Sequence, residues 1–207
     1  IKKARNLFKK AIRANQYQGD YYYSYCTKCC HFSYALEEVL KYRVQLETSS
    51  AFDIDLVEKL FDAGKLNTGN VIISNGFKSD RYIRKIVGLT QKGFYNVIPV
   101  IDNAEEFRMF NEEFQEDFKF GLRLATNEEP HFDFYTSRLG FGERALFDFV
   151  EDVVLKQDKG KLKMLHFFVD TGIKDSMYYW GEFKRCLKVY CKLKKLCPSL
   201  KAINIGG

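Results

Sequence analysis

The first position of chemical interest is a lysine among residues that seldom accompany a solvated cation: Tyr25-Cys26-Thr27-Lys28-Cys29-Cys30, with Phe32 close behind. Most lysines provide surface charge, and that plain reading suits the majority here. The aromatic and cysteine-rich setting of Lys28 instead predicts a side chain pointing inward, from the end of a strand into a largely apolar interior. Burial disfavours the ammonium form, lowers the amine pKa and favours Schiff-base chemistry with an aldehyde cofactor.

The neighbouring thiols allow other chemistry, which their spacing argues against. Cys26 and Cys29 make one C-x-x-C beside Cys30, but a structural zinc site needs further ligands. Cys186, Cys191 and Cys197 fit no helical ligand spacing and read as packing residues, so no metal is expected. A redox pair of Cys26 and Cys29 is disfavoured because strand neighbours three apart point to opposite faces. His31 and His131 read as loop or surface residues rather than catalytic bases.

Elements that could position Lys28 follow from the apolar periodicity. Ala4, Phe8, Ala11 and Ile12 recur at helical spacing, then Gly19-Asp20 breaks the pattern before an aromatic strand from Tyr21 to Tyr25. Strands are expected near Val44 to Glu47, Val71 to Ser74, Val97 to Ile101, Phe120 to Leu124, Leu162 to Val169 and from Lys201 to Ile205. Between them lie helices carrying Leu56, Val57, Leu60 and Phe61; Tyr82, Ile83, Ile86 and Val87; Phe107, Phe110 and Phe114; Leu146, Phe149, Val150 and Val153; and Trp180, Phe183, Leu187 and Tyr190. Each helix has one apolar stripe. An irregular segment around Asn127 to Phe141 interrupts the period, as long functional loops after strands often do.

Strands alternating with helices predict an α/β fold with a parallel sheet and right-handed crossovers. Two architectures accommodate about seven strands, a doubly wound sheet or a (β/α)8 TIM-type barrel that is incomplete. No G-x-G-x-x-G opens a helix, which weakens the dinucleotide-binding version. In a barrel, chemistry gathers at the C-terminal ends of the strands, where Lys28 falls.

The 207 residues, 46% hydrophobic and 16% aromatic, suit one globular domain. Its 33 Lys and Arg against 27 Asp and Glu give +6, but the two signs are interspersed, as on a solvated face. Only Lys184 to Lys195 approaches the basic stripe of a nucleic-acid binder, so nucleic acid is not an expected partner. No apolar run approaches a membrane span and no signal peptide opens the chain, so no membrane role is expected. Six cysteines without a small-domain disulfide pattern suit a reducing cytoplasm. The opening Ile1 and the final Gly206-Gly207, with no helix after the last strand, predict a piece of something longer.

Tyr25-Cys26-Thr27-Lys28-Cys29 resembles the aromatic-x-x-Lys strand of pyridoxal-phosphate-dependent ornithine, arginine and diaminopimelate decarboxylases, members of the alanine-racemase fold type. Further matches follow in the same order. Leu46-Glu47-Thr48-Ser49-Ser50 resembles their second-strand motif, and Ile73-Ser74-Asn75-Gly76-Phe77-Lys78 the Asn-Gly-(Tyr/Phe)-Lys signature of biosynthetic arginine decarboxylases. Leu122-Arg123-Leu124-Ala125-Thr126 is similar to the Leu-Arg-Ile-Ala-Thr of ornithine decarboxylases. Ser137-Arg138-Leu139-Gly140-Phe141 takes the place of their Lys-Phe-Gly, and Asn204-Ile205-Gly206-Gly207 that of their Asp-(Val/Ile)-Gly-Gly-Gly.

The resemblance implies that residues 1–207 are most of a pyridoxal-phosphate-binding barrel, without the end of the barrel and without a companion β-domain. It implies that Lys28 carries pyridoxal 5'-phosphate, that Glu47 and Arg123 line the floor around the ring, and that Thr171, Gly206 and Gly207 serve the phosphate. A buried ion pair is the plain structural alternative for Glu47 and Arg123. Phe168 stands where the family has a histidine stacked on the ring; it can pack there but cannot donate a hydrogen bond. His166, two residues earlier, points to the same side of a strand. Cys30 replaces the usual asparagine, and Asn204 the usual aspartate.

The implied activity is decarboxylation of an amino acid, arginine foremost, to agmatine and carbon dioxide in polyamine biosynthesis, by a homodimer or higher homo-oligomer. Ornithine, lysine and diaminopimelate are the alternative substrates, and a racemase is a further variant. The departures at Phe168 and Asn204 motivate the other class, a catalytically inactive homologue that binds partners. The fragment by itself is expected not to turn over.

Overall fold

In the computed structural model, residues 1–114, 117–126, 139–157, 160–169 and 176–206 are described. A helix α1 (Lys2–Ala14) precedes strand β1 (Ser24–Cys26), which runs into a short 3-10 turn, Thr27–Cys29. Then strands and helices alternate: α2 (Ser33–Leu40), β2 (Gln45–Thr48), α3 (Ala51–Asp62), β3 (Ile72–Ser74), α4 (Asp80–Gln91), β4 (Val97–Ile101), α5 (Ala104–Glu113), β5 (Phe118–Leu124), α6 (Glu143–Asp152), β6 (Gly160–Phe167), α7 (Ser176–Leu196) and β7 (Ala202–Asn204).

The strands pair in sequence order, all in parallel, so every C-terminal strand end lies on one edge. Helix starts are set by polar caps just past the strands. Ser50 accepts a hydrogen bond from the Asp53 amide, Ser79 from Tyr82 and Asn103 from Glu106, which satisfies first-turn amides that have no partner within the helix.

Alternation along the strands divides the core in two. Leu46, Ile72, Ile101, Phe120, Leu122, Leu165 and Phe167 face the helices and join the large cluster with Ile54, Ile83, Ile86, Phe107, Phe110 and Val189. Their neighbours Ile73, Val100 and Met164, with Val71, Ile98 and Ala202 against them, form a second, small cluster on the inner face. Two apolar faces are what a parallel sheet covered on both sides requires.

The sheet curls strongly. In a flat sheet, five spacings of about 4.8 Å would hold β2 and β7 roughly 24 Å apart. Instead the Glu47 side chain on β2 meets that of Asn204 on β7 at 2.9 Å. The fold is therefore the incomplete (β/α)8-type barrel, not the doubly wound sheet, and among the described residues no strand joins β7 to β1.

Two local expectations differ from the structure. The aromatic run predicts a strand from Tyr21, but β1 starts at Ser24, and Tyr21 stacks on Phe8 of α1 with ring centroids 4.0 Å apart. Its aromaticity serves helix packing, not the sheet. The periodicity also gives no helix between β1 and β2, where α2 lies; that helix buries only Leu36 fully, so its stripe is faint.

Candidate active site

The inner face changes character toward the C-terminal edge. Arg123 on β5, His166 on β6 and Asn204 on β7 are successive register partners, and on the other wall Cys26 of β1 pairs with Glu47 of β2. Asn75, two residues beyond Ile73, shares its face. Together these strands place one polar level above the small apolar cluster.

Hydrogen bonds join this level across the barrel. Asn75 Nδ2 donates to Glu47 Oε1 at 3.0 Å, and Asn204 Nδ2 donates to Glu47 Oε2 at 2.9 Å. Asn75 Nδ2 also lies 3.0 Å from His166 Nε2. The Asn75 Oδ1 accepts from the Gly76 amide at 2.9 Å, which fixes the orientation of the side-chain amide. With Nδ2 as donor, His166 Nε2 must accept, so its proton sits on Nδ1. His166 is 1% exposed and its Nδ1 has no partner among the described residues. Burial, with the cationic fields of Arg123, Lys78 and Lys28, holds its pKa well below the ordinary histidine value. The imidazole is neutral, accepting at Nε2 and carrying its proton on Nδ1.

Lys78 explains why Asn75-Gly76-Phe77-Lys78 is a unit. Its buried ammonium donates to the Gly76 carbonyl at 2.7 Å and to Glu106 Oε2 at 3.1 Å, with Asp102 Oδ2 at 3.6 Å. It clamps the turn that aims Asn75. Gly76 turns at φ +75, a conformation costly for other residues. Burial raises the Asp102 pKa; Lys78 opposes this, Glu106 adds to it and Arg123 opposes it.

Lys28 lies in the 3-10 turn at the end of β1 and is exposed. The expected deep, apolar setting is thus not what the fold provides: the turn carries Lys28 out of the strand's pleat, while Thr27 is the buried residue, donating to the Glu47 carbonyl at 3.1 Å. Lys28 nevertheless belongs to this mouth, since its charge reaches His166 and Cys26. Burial and the Glu47 charge push the Cys26 thiol up to about 11, against the pull of Lys28, so it stays protonated.

Glu47 and Arg123 come to the same level, but the Glu47 carboxylate is taken up by two amides, and among the described residues it makes no ion pair with Arg123. The Arg123 backbone, rather, accepts from the Phe141 amide at 2.8 Å, and Gly140 at φ +103 leaves room for that approach. Phe168 is half-buried, and a Cβ on Gly206 would lie 2.4 Å from its ring. Gly206, at φ +68, donates its amide to Asn204 Oδ1 at 2.9 Å. That amide is therefore engaged within its own turn, with the phenyl ring packed where a side chain would be. Thr171, Gly207, His131, Ser137 and Arg138 lie outside the described residues. Sequence reasoning missed Asn75 as the hub of the level, and Asp102 and Glu106 as partners of Lys78; the Asn-Gly-Phe-Lys motif was the available signal.

Among the described residues no cluster of three or more His, Cys, Asp or Glu is arranged for a metal, and no helix is long and apolar enough to cross a membrane.

Comparison with known proteins gives a consistent result. An arginine decarboxylase from Glycine max is 26% identical across 100% of this chain, which covers 31% of that protein. A biosynthetic arginine decarboxylase from Shewanella woodyi is 25% identical over 97% of the chain, which covers 33% of it. The chain thus spans about a third of the length of these curated relatives. Among solved structures, the biosynthetic arginine decarboxylase of Campylobacter jejuni superposes with a TM-score of 0.73 at 23% identity, over 97% of this chain and 33% of that one. Diaminopimelate decarboxylase of Helicobacter pylori, solved with L-lysine, gives 0.69 at 14% identity, over 94% and 49%. These likenesses show a shared fold. The family model described as the pyridoxal binding domain of pyridoxal-dependent decarboxylases matches residues 4–207, and the chain belongs to that family.

Proposed function

We propose that this chain is the cofactor-binding barrel of a pyridoxal-phosphate-dependent decarboxylase acting on arginine, releasing agmatine and carbon dioxide, with Lys28 holding the cofactor. The observation that carries this reading is the convergence of an exposed primary amine, Lys28, with the interior polar level of Glu47, Asn75, Arg123, His166 and Asn204. Arginine is favoured by the arginine decarboxylases at about a quarter identity and by Asn75-Gly76-Phe77-Lys78. Ornithine, lysine and diaminopimelate rank behind it, and polyamine synthesis is the process this product would feed.

Pyridoxal phosphate fits the residues present. His166 Nδ1 is a buried donor with no partner among the described residues. Gly206 supplies a turn with no Cβ beneath Phe168. Arg123, Lys78 and Lys28 make the level cationic around His166, which suits an anionic ligand. Lys28 would hold the aldehyde carbon; Arg123 and Glu47 would line the floor; Phe168 would offer an apolar face; and Thr171, Gly207 and the turn at Gly206 would serve the phosphate end. The cofactor supplies an electron sink for the pair left when carbon dioxide departs. The chain's residues orient and protonate: neutral His166 keeps its proton at Nδ1 as a donor, Glu47 remains fixed by two amides, and Lys28 Nζ is the exposed amine able to move a proton.

The whole protein is read as a cytoplasmic homodimer or higher oligomer. Free cysteines fit a reducing compartment. The exposed Phe32, Tyr34, Phe52 and Phe77 beside the strand ends supply apolar surface for association.

Full-length protein should show visible absorbance with pyridoxal phosphate and a borohydride-stable adduct, and should release carbon dioxide from arginine faster than from ornithine, lysine or diaminopimelate. Lys28→Ala should abolish both adduct and turnover; a persistent adduct removes the assignment. Phe168, in place of a stacked histidine, favours a second reading as an inactive relative. That reading predicts the adduct without decarboxylation of any of the four.

A further inference from the structure

We propose that Asn204 is a positioning residue whose amide couples the Glu47 carboxylate to the Gly206 turn, and that an amide is needed there because Glu47 is an acceptor only. Asn204 works at both ends. Its Nδ2 donates to Glu47 Oε2 at 2.9 Å while its Oδ1 accepts from the Gly206 amide at 2.9 Å. Glu47 Oε1 is held by Asn75, whose own Oδ1 is held by Gly76. The donor order is fixed along the whole line, Gly76 to Asn75 to Glu47 and Gly206 to Asn204 to Glu47. An ionised carboxylate donates nothing, so an aspartate in place of Asn204 would set two acceptors against each other unless a proton lay between them.

The coupling ties β2 to the end of β7 across the open side of the barrel, and it sets the turn on which Phe168 packs. Its relevance to the cofactor rests on the proposed function, in which that turn serves the phosphate end. A consequence runs against resemblance: restoring the aspartate of similar decarboxylases should harm this protein.

The test uses full-length protein and four forms: wild type, N204D, E47Q and E47Q/N204D. In N204D the two carboxylates oppose each other until a shared proton binds between them. In E47Q two amide nitrogens oppose each other across the Asn204 contact. In the double variant the order is restored, because the new amide on β2 donates its N–H to the new carboxylate on β7 while its carbonyl oxygen still accepts from Asn75. Groups around this pair that also carry or exchange charge are Cys26 of β1 and Tyr82 of α4, which feel the Glu47 charge, and His166 of β6, the register partner of Asn204, on which the cations Arg123, Lys78 and Lys28 act.

Pyridoxal phosphate affinity is measured by absorbance titration from pH 6 to 8.5, and thermal unfolding is followed without cofactor. N204D should lose about tenfold or more in affinity at the upper end, a loss on the scale of one charge-assisted hydrogen bond. It should regain affinity as pH falls and the shared proton binds. E47Q should lose a similar amount without the pH trend. E47Q/N204D should recover most of the affinity and of the unfolding temperature. Wild-type behaviour of N204D at all pH values, or a double variant no better than either single one, overturns the proposal. If N204D is insoluble, soluble E47Q/N204D with restored unfolding temperature supports it, and insolubility of both overturns it. If wild type itself binds no pyridoxal phosphate, the functional reading fails while the unfolding temperatures still decide the coupling.

Discussion

Lys78→Met is the perturbation that most directly tests how the polar level is held. The Lys78 side chain is 0% exposed, with carboxylate oxygens of Glu106 and Asp102 at 3.1 and 3.6 Å. Methionine replaces the unbranched stem and removes the ammonium, leaving two buried carboxylates and an unbonded Gly76 carbonyl. Losing one partner of a buried ion pair costs about 3–5 kcal/mol, because the remaining charge keeps its desolvation penalty; the lost bond to Gly76 lies within that range. The pH dependence has a definite sign. Asp102 already has a raised pKa from burial, opposed by Lys78, so removing Lys78 raises it further. A carboxyl whose folded pKa is raised contributes stability below its unfolded value and loses it as pH rises through the folded value. The deficit of Lys78→Met should therefore be largest at pH 8 and shrink toward pH 5. Urea unfolding of full-length wild type and variant across that range measures it. A loss under about 1 kcal/mol at pH 7, or one that does not change with pH, would refute the electrostatic account. Lys78→Met/Glu106→Gln should recover part of the loss.

Gly206→Ala combines a positive φ with a Cβ 2.4 Å from the Phe168 ring; calorimetry should show destabilisation of about 1–3 kcal/mol, and adding Phe168→Ala should relieve part of it. Thr48→Val removes the hydroxyl 2.9 Å from the buried Tyr82 hydroxyl, and should cost about 1–3 kcal/mol in urea unfolding without altering the absorbance of bound cofactor. Burial depresses the His166 pKa, so its stability contribution, present above the unfolded histidine value, should fade as pH drops toward 5; His166→Phe should flatten that slope, and nitrogen NMR of wild type should report the Nδ1–H tautomer. Phe168→His keeps a planar ring over Gly206 and should retain the Lys28 adduct, detected by mass spectrometry after borohydride.

The α/β class and the order of strands and helices were legible in the chain itself because they depend on local pattern. Periodic stripes such as Ile83, Ile86 and Val87 marked helices, and alternation with short apolar runs marked a parallel sheet. The one-dimensional order of Lys28, Glu47, Asn75 to Lys78, Arg123 and Asn204 also marked the strand ends where a barrel gathers its chemistry. Contact across the barrel was not legible. That Asn204 reaches Glu47, 157 positions earlier, follows from sheet curvature, which no local window encodes. The exposure of Lys28 and the occupied amide of Gly206 were likewise settled by the backbone, through a 3-10 turn after β1 and a left-handed turn after β7. Local sequence determined which residues would line one end of a parallel sheet; only its closure decided which of them would bond, and therefore which donors and acceptors were left over.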